Sequence, residues 1–147
     1  AQRGFELFQT EYDPRRGQFG ADCFHCHGGP LFQSQSFANN GLDTEPRDPG
    51  RFLVTGRSGD EGKFAVPSLR NVAVTAPYMH DGRFNTLEEV IDHYSEGLVY
   101  SETISPLMKN VAAGGVHLSP EEKSDLKAFL LSLSDQSFIE NPAFQNN

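Results

Sequence analysis

Both cysteines of this 147-residue chain fall in one short run, Cys23-Phe24-His25-Cys26-His27, two residues apart and followed at once by a histidine. Two thiols about one helical turn apart can each add to a vinyl group of a porphyrin, and the imidazole beside the second thiol is then carried beneath the iron as an axial ligand. The run is the attachment pattern of a c-type haem. Its chance occurrence in a chain of this composition is on the order of 10⁻³, so coincidence does not compete. A thioredoxin-like dithiol would need a surrounding βαβ pattern, and a zinc site a second ligand pair at short spacing, which His80, His93 and His117 do not supply. A plain disulfide would leave His27 without a role. The expected chemistry is one covalent haem c, attached through Cys23 and Cys26 and ligated by His27, with His25 a solvent-facing spacer.

A six-coordinate iron needs a second axial ligand, whose identity largely sets the reduction potential. Met79, within Ala76-Pro77-Tyr78-Met79-His80-Asp81-Gly82, offers a thioether but would serve equally as core filler. His80 offers an imidazole, although a histidine in a His-Asp-Gly turn more often bonds backbone or a haem propionate. Tyr94 offers a phenolic oxygen from the apolar face of a helix, and its alternative reading is a buried tyrosine with a satisfied hydroxyl. Arg51, Arg57 and Arg70 are candidates for pairing with the propionates, because a planar guanidinium meets a carboxylate through two parallel bonds; each could equally be a surface residue.

The elements that must position these groups are partly visible in the pattern. Gly4, Phe5, Leu7 and Phe8 follow a helical spacing that stops at Tyr12-Asp13-Pro14. Residues 28–51 are rich in turn formers and read as loop, and Arg51 to Lys63 as a further loop or short hairpin. Thr86 and Glu89 form a capping box before a stripe of Leu87, Val90, Ile91 and Tyr94, which ends at Gly97. His93 lies about 60° off that stripe and is expected to flank the surface. Ser119, Pro120 and Glu122 open a last helix whose stripe is Leu126, Phe129, Leu130 and Leu133, and the tail after Ser134 reads as a partly ordered strap. The length suits one domain, residues 1–135, with a C-terminal tail at 136–147. The 14 Gly and 9 Pro point to long irregular connections; together with the helical stripes and the haem motif, the expected fold class is mainly α, a cytochrome c-like helical domain with long irregular loops wrapped around one haem, and the chain is not expected to fold stably without that haem.

The net charge of −8, with no run of Lys and Arg, argues against a nucleic-acid partner. No stretch is apolar for long enough to span a membrane, and the N-terminus lacks a signal-peptide pattern. Haem attachment of this kind takes place outside the bacterial cytoplasm, so a periplasmic or otherwise exported protein is expected. The chain starts at Ala1, which fits a mature product, a fragment or an excerpt equally.

Residues Pro67 to Tyr94, PSLRNVAVTAPYMHDGRFNTLEEVIDHY, resemble the signature of the C-terminal haem domain of bacterial di-haem cytochrome c peroxidases and of the methylamine-utilisation (MauG-type) enzymes. With CFHCHGG at Cys23 to Gly29, Gly50-Arg51-Phe52 and SPEEKSDLKAFLLSLSD, the similarity runs from Gly4 to Asp135. It implies an oxidoreductase domain serving electron transfer or the storage of oxidising equivalents as high-valent iron. At the position of Tyr94 the peroxidases carry a distal Met and the MauG-type enzymes a Tyr, so the resemblance favours His27 and Tyr94 as axial ligands with Met79 as runner-up. Tyr94 and His80 become the candidate catalytic residues, and Tyr78 joins the residues expected at the cofactor.

The departures from the family count as well. Family members carry two haem motifs and this chain carries one, so enzymatic activity is expected of an assembly with a redox partner protein or a second haem domain. The family's interdomain calcium site does not carry over completely. With no Trp, hole transfer would have to use Tyr12, Tyr78 or Tyr100, or direct tunnelling. Two other readings stay open: a stand-alone monohaem electron carrier with His27/Met79 ligation, and an independent haem peroxidase. The sequence is silent on substrate, electron donor and oligomeric state.

Overall fold

The computed structural model describes residues 1–144 of the chain. Helices supply most of its regular structure: α1 (Gln2–Gln9), α2 (Phe52–Thr55), α3 (Leu87–Glu96), α4 (Pro120–Leu131) and α5 (Gln136–Ile139). Two small antiparallel ribbons accompany them, β1 (Tyr12–Asp13) with β2 (Gln18–Phe19), and β3 (Phe37–Ala38) with β4 (Phe64–Ala65). The rest is short 3-10 turns and irregular backbone. No helix among the described residues is long and apolar enough to cross a membrane.

The two best-defined helices begin where the local chemistry places them. In α3 the Thr86 hydroxyl accepts from the Glu89 N–H at 3.2 Å, and the Glu89 carboxylate accepts from the Thr86 N–H at 2.9 Å. In α4 Ser119 and Glu122 repeat the exchange at 3.3 and 2.8 Å. Each box satisfies donors that the first helical turn leaves without partners. Thr86→Ala is therefore expected to lower stability by about 1 kcal/mol, read as the denaturant midpoint of the haem-loaded protein.

The core forms where α1 crosses α4. Phe8 and Phe129 pack with tilted rings, centroids 5.2 Å apart, Phe32 meets both edge-on at 5.7 and 5.8 Å, and Leu87, Ile91, Leu126 and Leu130 close the cluster. Gly4 is the contact point. A Cβ there would lie 1.9 Å from the Asp125 carbonyl oxygen and 2.9 Å from the Phe129 Cβ, so the helices meet because position 4 has no side chain. Gly4→Ala gains about 1 kcal/mol in helix propensity but must push two backbones apart. The clash wins, and a net loss of about 2 kcal/mol is expected in thermal unfolding.

Polar side chains hold the loops. Buried Asn39 donates to the Ser101 and Thr103 hydroxyls, both at 3.0 Å, and accepts from the Gly41 N–H at 3.0 Å. Ser95, fully buried in α3, accepts from the Leu118 N–H at 2.8 Å. Lys123 on α4 reaches Asp92 and Glu96 on α3 at 2.7 and 2.6 Å.

Three expectations need correction. Residues 51–63 form neither a plain loop nor a hairpin: α2 closes at Gly56, whose φ of 64° permits a left-handed cap, and a 3-10 turn follows at Ser58–Asp60. Leu133 lies beyond the end of α4, though it still packs on the core. The segment after Ser134 starts with the short helix α5, capped by Asp135, and continues in a turn at Pro142–Phe144; residues 145–147 of the expected tail lie outside the described residues.

Candidate haem-binding site

The cysteine run opens a 3-10 turn at Cys23–His25, in which the Cys26 and His27 N–H groups both donate to the Cys23 carbonyl at 3.3 and 3.0 Å. The two thiols are free rather than joined as a disulfide. Burial pushes the Cys23 thiol up to about 12, and raises that of Cys26 as well.

His27 is set as a metal ligand would be. Its Nδ1 faces two carbonyl oxygens, Phe32 and Pro67, each at 3.2 Å. Both partners are acceptors, so Nδ1 carries the proton and Nε2 keeps its lone pair. Burial lowers the imidazole's pKa, which also favours the neutral, ligating form. A carbonyl bond of this kind fixes the tautomer and ring direction of a ligating histidine. The two segments that supply these carbonyls are clamped to each other: Arg70 donates to the Pro30 carbonyl from Nε at 3.2 Å and Nη2 at 2.7 Å, and the Ser68 hydroxyl donates to the Leu31 carbonyl at 2.6 Å. A cavity of about 320 Å³ opens beside the imidazole, lined by Phe8, Gln9, Phe24, Gly28, Gly29 and Phe32.

Tyr94 sits in the last turn of α3 with its hydroxyl accepting from Asn40 Nδ2 at 3.2 Å. Burial, against the lowering effect of the Asn40 bond, pushes this hydroxyl up to about 12. Cys23, His27 and Tyr94 are each half-buried. Met79 Sδ lies 3.4 Å from the same Asn40 nitrogen. His80 is exposed and stacks on the Phe64 ring, centroids 3.7 Å apart and nearly parallel. The Tyr78 hydroxyl donates to the Val72 carbonyl at 2.9 Å.

The arginines expected at the propionates have other contacts. Arg70 is engaged as above, Arg51 lies over the Phe37 ring at 4.0 Å and near Asp60 at 3.5 Å, and Arg57 is exposed, with no ion pair among the described residues. Of the other tyrosines, Tyr12 packs edge-on against Phe19 and Tyr100 is exposed.

Two histidines depart from expectation. His93 is buried rather than flanking the surface, because residues 39–41 lie across that side of α3; its Nε2 donates to the Asn40 carbonyl at 3.0 Å. His25 is no solvent-facing spacer: its Nε2 lies 3.2 Å from Glu11 and 3.1 Å from Asp22. That trio has the make-up of a metal site, but the Lys109 ammonium, bonded to Glu11 and 2.9 Å from Asp22, already supplies the cation. Asn40 escaped the sequence reading altogether. Asn40-Gly41 is a turn signal, and nothing local shows that the side chain reaches Tyr94 and Met79.

The donor set fits a covalent haem: two free thiols, a neutral imidazole with an open Nε2, and phenolic oxygen and thioether sulfur donors brought together at Asn40. No family model matches the chain. Among characterised proteins, it is 34% identical to the cytochrome-c peroxidase IdrP1 of Pseudomonas sp. (strain SCT), over 95% of this chain and 42% of that protein. It is 33% identical to the methylamine utilization protein MauG of Methylophilus methylotrophus, over 90% of this chain and 36% of that protein. A crystal structure of a MauG-like protein associated with microbial copper homeostasis superposes with a TM-score of 0.79 at 38% identity, covering 98% of this chain and 49% of that one. The chain is thus homologous to the cytochrome c peroxidase and MauG family along nearly its whole length. It spans about two fifths of the length of the curated relatives it matches.

Proposed function

We propose that this chain is the haem c-bearing, electron-transferring half of a MauG-type or peroxidase-type oxidoreductase, with His27 and Tyr94 as axial ligands. When bound, the haem supplies a metal centre able to give and take single electrons and to reach oxidation states above ferric. Cys23 and Cys26 would hold it covalently. His27, its Nδ1–H committed to two carbonyls, presents Nε2 to the metal, and Tyr94 presents a phenolic oxygen from the rigid end of α3. The observation that carries the reading is the setting of the His27 imidazole, whose Nδ1–H is committed to the Phe32 and Pro67 carbonyls and whose Nε2 is left for a metal beside two free thiols.

A ferric iron next to the hydroxyl would favour the phenolate, which in turn favours the higher oxidation states. That suits the storage of oxidising equivalents better than a high-potential relay does. The partner would be a second haem domain, in the same polypeptide or another, and the compartment would be the periplasm. A native mass with haem counted per protein identifies the assembly.

The competing reading is a monohaem electron carrier with Met79 as distal ligand, and it draws on the position of the Met79 sulfur at the Asn40 amide. The ferric spectrum separates the two. A phenolate-to-iron charge-transfer band that disappears in Tyr94→Phe supports tyrosine ligation. A near-infrared methionine-to-iron band in the parent, lost in Met79→Ala and kept in Tyr94→Phe, excludes it.

A further inference from the structure

Two donors of opposite chemical character flank a single nitrogen in this fold. Asn40 Nδ2 lies 3.2 Å from the Tyr94 hydroxyl oxygen and 3.4 Å from the Met79 sulfur, and an amide has one N–H for each. The backbone that carries this amide is anchored, because the Asn40 main-chain carbonyl accepts from His93 Nε2 at 3.0 Å. Met79 is held from the other side. Its φ is 71°, a left-handed conformation uncommon for a residue with a side chain, and it opens a turn closed by the Tyr78 N–H donating to the Phe84 carbonyl at 2.7 Å. Arg83 ties that turn to the loop carrying Asn40, meeting Asp43 at 2.6 Å and the Leu42 carbonyl at 3.2 Å. Two segments far apart in sequence thus bring a phenol oxygen and a thioether sulfur to one point.

The two donors suit different oxidation states of iron. Phenolate is a hard anion that stabilises Fe(III), whereas a neutral, soft thioether raises the potential and suits Fe(II). We propose that Met79 is a second distal ligand, which takes the place of Tyr94 when the haem iron is reduced. The proposal rests on the assignment of Tyr94 as the ferric ligand. In the exchange a one-electron donor, such as a reduced haem of the partner domain, converts Fe(III) to Fe(II). The iron–oxygen bond breaks with its electron pair left on Tyr94, which takes one proton from water. A lone pair of the Met79 sulfur then forms the iron–sulfur bond. Only the donor is oxidised, and reoxidation runs the same steps backwards.

The chain has two Met residues, so labelling the haem-loaded protein with [methyl-¹³C]methionine gives two methyl signals to follow. In the ferric protein neither methyl is expected to show the large hyperfine shift of a bound thioether. After reduction with dithionite, one methyl should move far upfield under the porphyrin ring current. That signal should persist in Met108→Leu, which assigns it to Met79 without a variant at the site, persist in Tyr94→Phe, and be lost in Met79→Leu. Two ordinary methyl signals in the ferrous protein, when its ferric form shows the phenolate band, would overturn the exchange and leave Tyr94 ligation intact. Loss of the shifted signal in Met108→Leu also overturns it. A bound thioether already present in the ferric protein overturns the exchange together with the Tyr94 assignment.

Discussion

A chain carrying both Cys23→Ala and Cys26→Ala, produced where the parent acquires haem, is expected to be colourless and to show no cooperative unfolding. The reason lies in how little of the fold is core. Ten apolar side chains are buried among the described residues, most of them where α1, α3 and α4 meet. Around that nucleus Cys23, Phe24, Phe32, Leu69, Val72, Ala73 and Tyr78 are only partly covered, and between them run long irregular segments. At about 25 cal/mol per Å², covering on the order of 300 Å² of such surface contributes about 7.5 kcal/mol. That equals the whole stability of an ordinary domain, about 5–15 kcal/mol. Removing the covalent cofactor thus removes the margin by which the chain folds. Circular dichroism of the double variant should show reduced helicity and no sharp thermal transition. A variant that unfolds cooperatively near the parent's midpoint would show that the protein part is self-sufficient. Single variants, each keeping one thioether, should retain haem with lower stability, and acidified organic solvent will still leave their pigment attached.

What could be read from the sequence was what depends on neighbours in sequence. The cysteine run is a local signal, and so are the boxes at Thr86–Glu89 and Ser119–Glu122, where a hydroxyl and a carboxylate three residues apart find each other's backbone. Tyr94 could be turned inward from Leu87 and Ile91 because one helix fixes their angles. What local pattern does not record is a partner far along the chain. Helix geometry alone puts His93 at the surface, yet residues 39–41 fold over it. Asn40 reaches a tyrosine 54 residues away, a contact that no periodicity records. Arg70 shows the same limit in its chemistry. A guanidinium fork matches a carboxylate, but the acceptor it meets is the Pro30 backbone carbonyl, so it steadies the loop after His27. The four-residue α2 was missed because glycine at position 56 signals both a loop and a helix cap.

Tyr94→Phe should raise the reduction potential of the haem-loaded protein by at least about 100 mV, measured by potentiometric titration with spectroscopic monitoring. A phenolate brings a negative charge to the metal and stabilises Fe(III) over Fe(II); phenylalanine keeps the ring and removes both donor and charge. At 59 mV per tenfold in a one-electron couple, 100 mV corresponds to a roughly fiftyfold shift toward the ferrous form. Packing is not expected to confuse the result, since the lost oxygen accepts one side-chain bond, from Asn40, whose nitrogen still has the Met79 sulfur nearby. That neighbour increases the effect. With the phenolate gone, Met79 can bind in both oxidation states, and the ferric variant should then gain a near-infrared methionine band that the parent lacks. The potential would rise both through loss of an anion and through gain of a thioether, and Tyr94→Phe/Met79→Leu separates the two contributions. An unchanged potential in Tyr94→Phe would mean that the tyrosine is a buried phenol with its hydroxyl satisfied by Asn40, and that the iron takes its sixth ligand elsewhere.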